Sequence, residues 1–234
     1  MRPKVLSAVV LFVLLSCLSG FSQQSYVSRF DAFTGYSFFS TPSLNLFENG
    51  FNGEFGVNVN TWLALGGDFS VFTGDTSITP NMLSSRVQQQ LAGGLALLDG
   101  LVPPGYRFAV PINSTTYTYS AGPQINIRKM EAVTIFVRPA LGALHESVSL
   151  RPTDPLTKGL VQALVGSNMH KTDTIVFYGF GGGLDFNLSQ HFAVRTAADF
   201  VHYDLFSGLL NGGRNSVRFS VGPTFRFGEN VVKK

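Results

Sequence analysis

The sequence has little charge, a single cysteine and no long apolar run, and each shortage excludes a class of protein. Charged residues make up 13% of the chain, about half of the ~25% that is usual in soluble domains. The one cysteine, Cys17, rules out an internal disulfide framework. No stretch reaches the roughly 20 apolar residues that a membrane-spanning helix needs. A chain of this composition that crosses a bilayer therefore has to cross it with strands.

The N-terminus has the pattern of a signal peptide. Arg2 and Lys4 precede an apolar run over residues 5–15, and small residues follow. We predict that residues 1–22 are removed by cleavage after Ser22 and that residues 23–234 form a single domain. The alternative is a lipoprotein signal in which Cys17 carries the lipid. Both interpretations predict an exported protein.

The charge balance gives no sign of a charged partner. The chain has 17 basic and 14 acidic residues, a net charge of +3. Without Arg2 and Lys4 the balance is 15 against 14, a net charge of +1. No basic patch indicates a nucleic-acid surface, and the histidines are scattered without the spacing of a metal site. We therefore predict no nucleic-acid partner, no metal and no cofactor.

The sequence does contain a repeated two-residue alternation. In the last predicted strand, apolar residues at 217, 219, 221, 223, 225 and 227 alternate with serine, arginine, glycine and threonine. Successive side chains of a strand point to opposite faces, so this strand has one apolar face and one polar, cationic face. The same pattern predicts eight strands in all, at residues 27–39, 50–60, from 63 onward, 116–127, 133–145, 174–187, 192–203 and 216–227.

The lengths of the connections indicate which way such strands are arranged. The predicted connections after strands two, four and six are short, and those after one, three, five and seven are long. Transmembrane barrels have short periplasmic turns and long extracellular loops. We therefore predict an all-β protein, an eight-stranded antiparallel up-and-down transmembrane β-barrel with that loop asymmetry. The soluble alternative, a lipocalin, places its apolar side chains inside, around a ligand cavity.

Two of the long loops have apolar residues at helical spacing. These residues fall within 81–98 and within 156–165. Structureless loops of this length are uncommon in compact domains, and the spacing predicts a short helix in each. Such a helix can pack on its neighbours, cap the mouth of the barrel or lie at the membrane interface.

Charged residues on the polar faces are predicted to point into the barrel. They number five of each sign: Arg29, Asp31, Glu54, Asp68, Arg138, Asp185, Arg195, Asp199, Arg218 and Arg226. A barrel of eight strands is just wide enough to be filled by side chains. We therefore predict that paired charges plug the lumen, with a cluster formed by Glu54, Asp68, Arg138, Arg195, Asp199 and Arg218. A binding or gating role for this cluster is the alternative.

Two short motifs resemble catalytic or nucleotide sites but lack the necessary context. The glycine run at residues 179–183 continues as a strand rather than into a helix, so we attribute its glycines to crowding in a small barrel. His145, Glu146 and Ser147 are similar to the His and Ser of outer-membrane lipid A deacylases. Neighbouring residues on a strand point to opposite faces, so Glu146 cannot share a side with the other two. We predict a polar rim here and no catalytic residue.

Three segments carry a family resemblance. They are the opening strand at residues 30–38, the turn Asn60-Thr61-Trp62 and the terminal segment at residues 220–227. In these three segments the chain resembles the outer membrane protein β-barrel domain family and is similar to the transmembrane domain of outer membrane protein A. The resemblance implies that Gly222, Phe225 and Phe227 belong to the signal read by the barrel-assembly machinery. Members commonly end at the final aromatic residue, whereas here a polar tail follows at residues 228–234.

The resemblance also implies a location and a set of partners. We expect the cell outer membrane, contacts with its lipid and lipopolysaccharide, contact with the barrel-assembly machinery during biogenesis, and a monomer. Three functions stay open at this point. The first is a non-enzymatic structural role at the envelope surface, with extracellular loops. The second is a narrow channel for small or hydrophobic solutes, and the third is a lipid-modifying enzyme.

Overall fold

A computed structural model describes residues 24–98, 100 and 102–232. The predicted signal peptide, with Cys17, lies outside these residues. The strands are β1 (Ser28–Thr41), β2 (Leu46–Asn58), β3 (Leu63–Ile78), β4 (Val110–Ile127), β5 (Val133–Leu150), β6 (His170–Asn187), β7 (Phe192–Tyr203) and β8 (Arg214–Asn230). Helix α1 (Ser85–Leu97) lies between β3 and β4, and helix α2 (Pro155–Val165) lies between β5 and β6. Neither helix is long and apolar enough to cross a bilayer.

The strands form a closed barrel. Each strand pairs with its sequence neighbours, and β1 pairs antiparallel with β8 to close the sheet. At the closure Phe30 lies opposite Phe227 and Asp31 lies opposite Arg226. The register therefore places apolar residues beside apolar residues and charges beside charges. The predicted fold class is confirmed.

The two faces of the wall follow the alternation in the sequence. Large apolar side chains cover the outside: Phe51 is 64% exposed and Phe180 is 67% exposed. Aromatic side chains on adjacent strands touch across this surface, for example Phe180 and Phe200, whose ring centroids are 5.5 Å apart. Inward residues such as Asp199 and Ser220 are buried. An apolar outer wall around a polar interior is the arrangement that a lipid environment requires.

One end of the barrel carries three short turns and is called the turn end below. These turns comprise residues 59–62, 128–132 and 188–191. In the first, the Asn60 side-chain oxygen accepts hydrogen bonds from the backbone N–H groups of Trp62 at 2.9 Å and Leu63 at 2.8 Å. Asparagine stabilises a turn in this way because its short side chain reaches the backbone two residues on. The opposite end, which carries α1 and α2, is called the loop end.

Several strands extend further toward the loop end than predicted. Strand β2 begins at Leu46 instead of residue 50, and β5 continues to Leu150 instead of residue 145. The first loop consequently spans only residues 42–45 and is short, contrary to the prediction. In the extensions the polarity is reversed: Val148 points inward and is buried, while the neighbouring Ser147 is partly exposed. The predicted strands are too short because the prediction relied on rows of outward apolar residues, and these rows end where the polarity reverses.

Two further predictions at the ends of strands are wrong. Arg29 was predicted to point inward, but it is exposed because the β1–β8 register shifts between Ser28 and Phe30. Such an irregularity changes which face a side chain occupies. The segment after Phe227 is not simply a tail, since β8 continues to Asn230.

Glycines on the inner face of β6 make room for neighbouring groups. A Cβ at Gly183 would meet the Thr196 carbonyl oxygen, and it would lie 2.7 Å from the Phe136 ring. A Cβ at Gly181 would collide with the Asp199 carboxylate. The glycine run therefore lets an aromatic ring and an ion-paired side chain lie flat against the wall, as the crowding hypothesis requires.

We expect Gly183→Ala to lower the free energy of unfolding by about 1–3 kcal/mol, the usual cost of an overpacked core. The matched control is Gly159→Ala in α2, where a new Cβ has nothing within 4 Å. That change should stabilise the helix by roughly 0.5–1 kcal/mol. Urea unfolding in detergent measures both values. Equal effects of the two substitutions would show that the close approach at Gly183 has no energetic consequence.

Candidate functional site: a charge-filled lumen beneath an apolar cap

The structure places all six residues of the predicted charge cluster together in the lumen. Two further inward charges, Asp185 and Arg226, extend the cluster, and a third, Asp31, lies beside it with its Oδ1 3.9 Å from Arg195 Nη2. The eight side chains form one continuous chain in which basic and acidic groups alternate, in the order Arg226, Asp185, Arg195, Glu54, Arg138, Asp199, Arg218 and Asp68. The eight members of this ion-pair chain carry four charges of each sign, and Asp31 adds one more carboxylate beside Arg195.

Arg195 holds the half of the ion-pair chain nearer the turn end. Its Nε lies 2.7 Å from Asp185 Oδ1, and its Nη1 lies 2.7 Å from Glu54 Oε2. Arg226 Nη2 donates to the other oxygen of Asp185 at 2.8 Å. Arginine suits this position because its planar guanidinium can bond two carboxylates at once.

Arg138 and Arg218 extend the ion-pair chain toward the loop end. Arg138 Nη2 lies 2.9 Å from Glu54 Oε1 and 3.1 Å from Asp199 Oδ2. Arg218 Nη2 lies 2.8 Å from the same Asp199 oxygen, and its Nη1 lies 2.6 Å from Asp68 Oδ1. Asp199 therefore joins the two guanidinium groups, which would otherwise repel each other.

Aromatic rings cover the most buried part of the ion-pair chain. The Arg195 guanidinium carbon lies 4.7 Å from the centroid of the Phe136 ring and 5.8 Å from that of Phe33. Arginine stacked on an aromatic ring gains a cation–π interaction that increases when the group is desolvated. The lumen at this level is thus filled by charge pairs and rings.

A second set of bonds closes the turn end. Arg128 donates to the Thr61 carbonyl oxygen at 2.6 Å and to the Asn58 side-chain oxygen at 2.9 Å. Gln24 Nε2 donates to Thr134 Oγ1 at 2.8 Å. Arg128 lies in a turn between β4 and β5, and the alternation could not assign it to the lumen because a residue outside a strand has no face.

Two buried carboxylates that sequence reasoning missed lie nearer the loop end. Glu48 accepts hydrogen bonds from Thr116 Oγ1 on both oxygens, at 3.0 and 3.1 Å. Glu146 accepts one from Ser114 Oγ at 3.0 Å. Glu48 preceded the predicted start of strand two, and Glu146 was assigned to a polar rim. Extending the inward two-residue period from Glu54 back past residue 50 would have found Glu48.

Above these carboxylates the loops form an apolar cap. Val87 of α1 and Val161 of α2 are buried with Leu44, Ile112 and Val148, which lie on the loop-end strands and the first loop. The two helices that the spacing predicted are therefore present. They pack together and onto the inverted strand extensions, so they cover the mouth of the barrel rather than lie at the membrane interface.

The start of α2 is fixed by a side-chain cap. Asp154 accepts hydrogen bonds from the Thr157 hydroxyl at 2.6 Å and from the Thr157 backbone N–H at 2.8 Å. These bonds stabilise the charged carboxylate and hold the pKa of Asp154 below its usual range. The cap is therefore complete at neutral pH and is lost only as the pH falls through that lowered pKa.

The histidines near the loop end lie on the outer wall. His145 Nδ1 lies 2.7 Å from Thr174 Oγ1, and His170 Nε2 lies 3.4 Å from Ser147 Oγ. Glu146 points inward, and among the described residues no carboxylate bonds to either imidazole. The part of the chain that the structure describes also contains no group of three residues suited to hold a metal.

The residues of the predicted assembly signal lie on the last strand. Phe225 and Phe227 point outward and are about half exposed, at 53% and 46%. The Phe227 ring lies 5.5 Å from the Phe30 ring on β1. Gly222 points inward, where a Cβ would collide with the Thr34 carbonyl oxygen. The signal itself stays a prediction, because geometry alone does not show what recognises these residues.

A closed barrel with an apolar wall and a charged lumen defines the class of transmembrane β-barrels. The chain belongs to the outer membrane protein β-barrel domain family, whose model matches residues 8–227. No curated protein matches the sequence.

Solved structures of bacterial barrels are similar to the chain at low sequence identity. Ail of Yersinia pestis in complex with the heparin analogue sucrose octasulfate is 16% identical, with a TM-score of 0.47, and the match covers 86% of this chain and 97% of Ail. Neisserial surface protein A is 13% identical, with a TM-score of 0.48 and coverage of 85% and 96%. The N-terminal barrel domain of Pseudomonas aeruginosa OprF is 10% identical, with a TM-score of 0.37 and coverage of 85% and 98%.

Proposed function

We propose that this protein is a non-enzymatic structural component of the outer membrane that displays a folded cap at the cell surface. The observation that carries the proposal is the ion-pair chain across the lumen. A barrel whose interior is filled by bonded charges is rigid and offers no path for solutes. A structural role needs only the apolar wall, the sealed interior and the surface loops.

The lumen geometry weighs against the channel alternative. The space beside Glu54 and Arg138 amounts to about 30 Å³, enough for about two water molecules. A permeating solute would have to separate ion pairs such as Arg218 with Asp68 and then pass the apolar cap. Because each buried charge left without its partner is costly, spontaneous opening of this path is disfavoured.

The outer wall weighs against the enzyme alternative. A serine hydrolase needs a base that is oriented by a third group, commonly a carboxylate. His145 instead contacts Thr174, and the 3.4 Å separation between His170 and Ser147 is long for a catalytic hydrogen bond. Neither histidine contacts a carboxylate among the described residues. These histidines and hydroxyl groups are typical of the boundary with lipid headgroups and lack the arrangement of a catalytic site.

The proposed partners follow from the wall of the barrel. The apolar band contacts outer-membrane lipid, and the histidines above it meet the headgroup region of lipopolysaccharide. The assembly machinery recognises the last strand during biogenesis. A monomer suffices, since the closed sheet leaves no strand edge for pairing with another chain. Export by a cleaved signal at residues 1–22 is part of the same proposal.

We expect the purified protein to give no stable conductance steps in planar lipid bilayers. The reference is Glu54→Ser/Arg138→Ser, which removes one charge of each sign from the middle of the ion-pair chain and leaves a gap there. The variant also carries short glycine–serine linkers in place of the two loops that contain α1 and α2, since the cap would otherwise keep the path closed, and it should then show measurable steps. Stable steps from the unmodified protein would contradict the sealed lumen and favour the channel alternative. Both proteins must first show heat-modifiable gel mobility and fractionate with the outer membrane, because recovery from the periplasm would contradict the membrane location itself.

A further inference from the structure

The cap contains a small apolar cavity. Its volume is about 80 Å³, and both loop helices, the strand extensions and the last loop contribute to its wall. Buried side chains in that wall include Val87, Ile112, Val148 and Val161. Apolar cavities of roughly 150 Å³ in protein cores stay dry and bind molecules such as benzene. This cavity has about half that volume, so it can hold a hydrocarbon group of about three carbons.

One buried carboxylate lies at the inner side of the cavity. Glu146 precedes Val148 on the inward row of β5, one step closer to the lumen, and both line the cavity. Its side chain is 4% exposed, and its one hydrogen-bond partner among the described residues is Ser114. It makes no ion pair within the part of the chain that the structure describes. A buried carboxylate of this kind is stabilised by a further donor, and most strongly by a cation.

The second polar residue in the wall, Lys171, differs from Glu146 in its exposure. Lys171 pairs with Val148 in the sheet and is partly exposed. A long lysine side chain can keep its ammonium group in water while its methylene groups contact apolar neighbours. The Glu146 carboxylate has no such route to solvent. Glu146 is therefore the residue in this wall whose carboxylate needs a further hydrogen-bond donor, whereas Lys171 needs no anion in the cavity.

We propose that the cap cavity binds a small hydrophobic amine. Its apolar body lies between the loop helices and the strand extensions, and its ammonium group donates to Glu146. The site is distinct from the ion-pair chain and does not require passage through the barrel. It gives the cap a ligand-binding role in addition to its structural one.

The test uses the full chain in lipid nanodiscs and three probes with the same three-carbon body: propylamine, 1-propanol and propanoate. Methyl NMR signals of Val148 and Val161 report binding inside the cap. We expect saturable shifts, with a midpoint for propylamine about tenfold or more below that for propanoate, since hydrogen bonds to charged groups are worth that factor. Glu146→Gln should raise the propylamine midpoint about tenfold and change that of propanol by less than about threefold.

A matched pair of substitutions separates the cavity from the lipid phase. Val161→Phe fills the cavity and should abolish saturable shifts at Val148, whereas Val176→Phe, on the outer wall where valine is 68% exposed, should not. If Val161→Phe does not fold, Ile112→Phe tests the same cavity from the strand side. Unchanged binding in the filled variant would overturn the proposal. Tighter binding of propanoate than of propylamine, lost in Lys171→Met, would overturn the choice of an amine.

Discussion

Arg195→Met is expected to lower the free energy of unfolding by about 3–5 kcal/mol, the range for removal of one partner from a buried ion pair. Arg195 is 2% exposed and bonds both Asp185 and Glu54. Methionine fills part of the volume but leaves two buried carboxylates short of a donor. The loss therefore reflects uncompensated charge more than lost packing. Urea unfolding, followed by heat-modifiable gel mobility, measures the change.

The matched control for this prediction is Arg226→Met at the end of the ion-pair chain. The Arg226 side chain is 11% exposed and pairs with Asp185 alone, so water can partly replace it and the loss should be clearly smaller. Adding Glu54→Gln to Arg195→Met should recover part of the loss, because the double variant again has equal numbers of positive and negative charges along the ion-pair chain, with Glu54 otherwise bonded only by Arg138. Equal losses for the two arginine variants, or no recovery in the double variant, would show that charge pairing does not hold the lumen together.

Phe227→Lys is expected to reduce the amount of membrane-inserted protein in cells severalfold. The side chain points outward near the turn end and is 46% exposed. A lysine on the lipid face costs only roughly 0–1 kcal/mol near the interface, against ~2–4 kcal/mol at the midplane. A large loss in cells therefore exceeds what stability explains and indicates failed recognition by the assembly machinery. Quantitative blotting of outer-membrane fractions measures the inserted amount.

Two controls separate recognition from folding. Purified Phe227→Lys refolded into lipid vesicles should reach nearly the same folded fraction as the unmodified protein, since no machinery is involved. Arg226→Lys changes the adjacent residue, which points inward and bonds Asp185 and Asn187, and it should insert almost normally in cells. Normal insertion of Phe227→Lys together with failure of Arg226→Lys would show that the terminal signal is wrongly assigned.

The sequence predicts the structure best within the apolar band of the wall. There, period-two alternation predicted the faces of all eight strands and the bounds of β7, Phe192–Tyr203. Lipid outside and charge inside impose opposite demands on adjacent residues, so the pattern is strong. Beyond the band the solvent changes to water and the pattern inverts, which is why the extensions of β2 and β5 were missed. The face of Arg29 was predicted wrongly because the alternation of residue types does not reveal a register shift.

The sequence by itself determined the apolar wall, the eight-strand count, the helical spacing of the two long loops and the set of charges available to the lumen. All four features follow from local periodicity, which can be read within a single strand or helix. Only the tertiary structure decided the order of the ion-pair chain, in which Arg195 joins residues 10 and 141 positions away. It also decided that Glu146 borders an apolar cavity closed by both helices. Such contacts depend on how the closed sheet brings distant strands together across the lumen, and no period in a single strand carries that information.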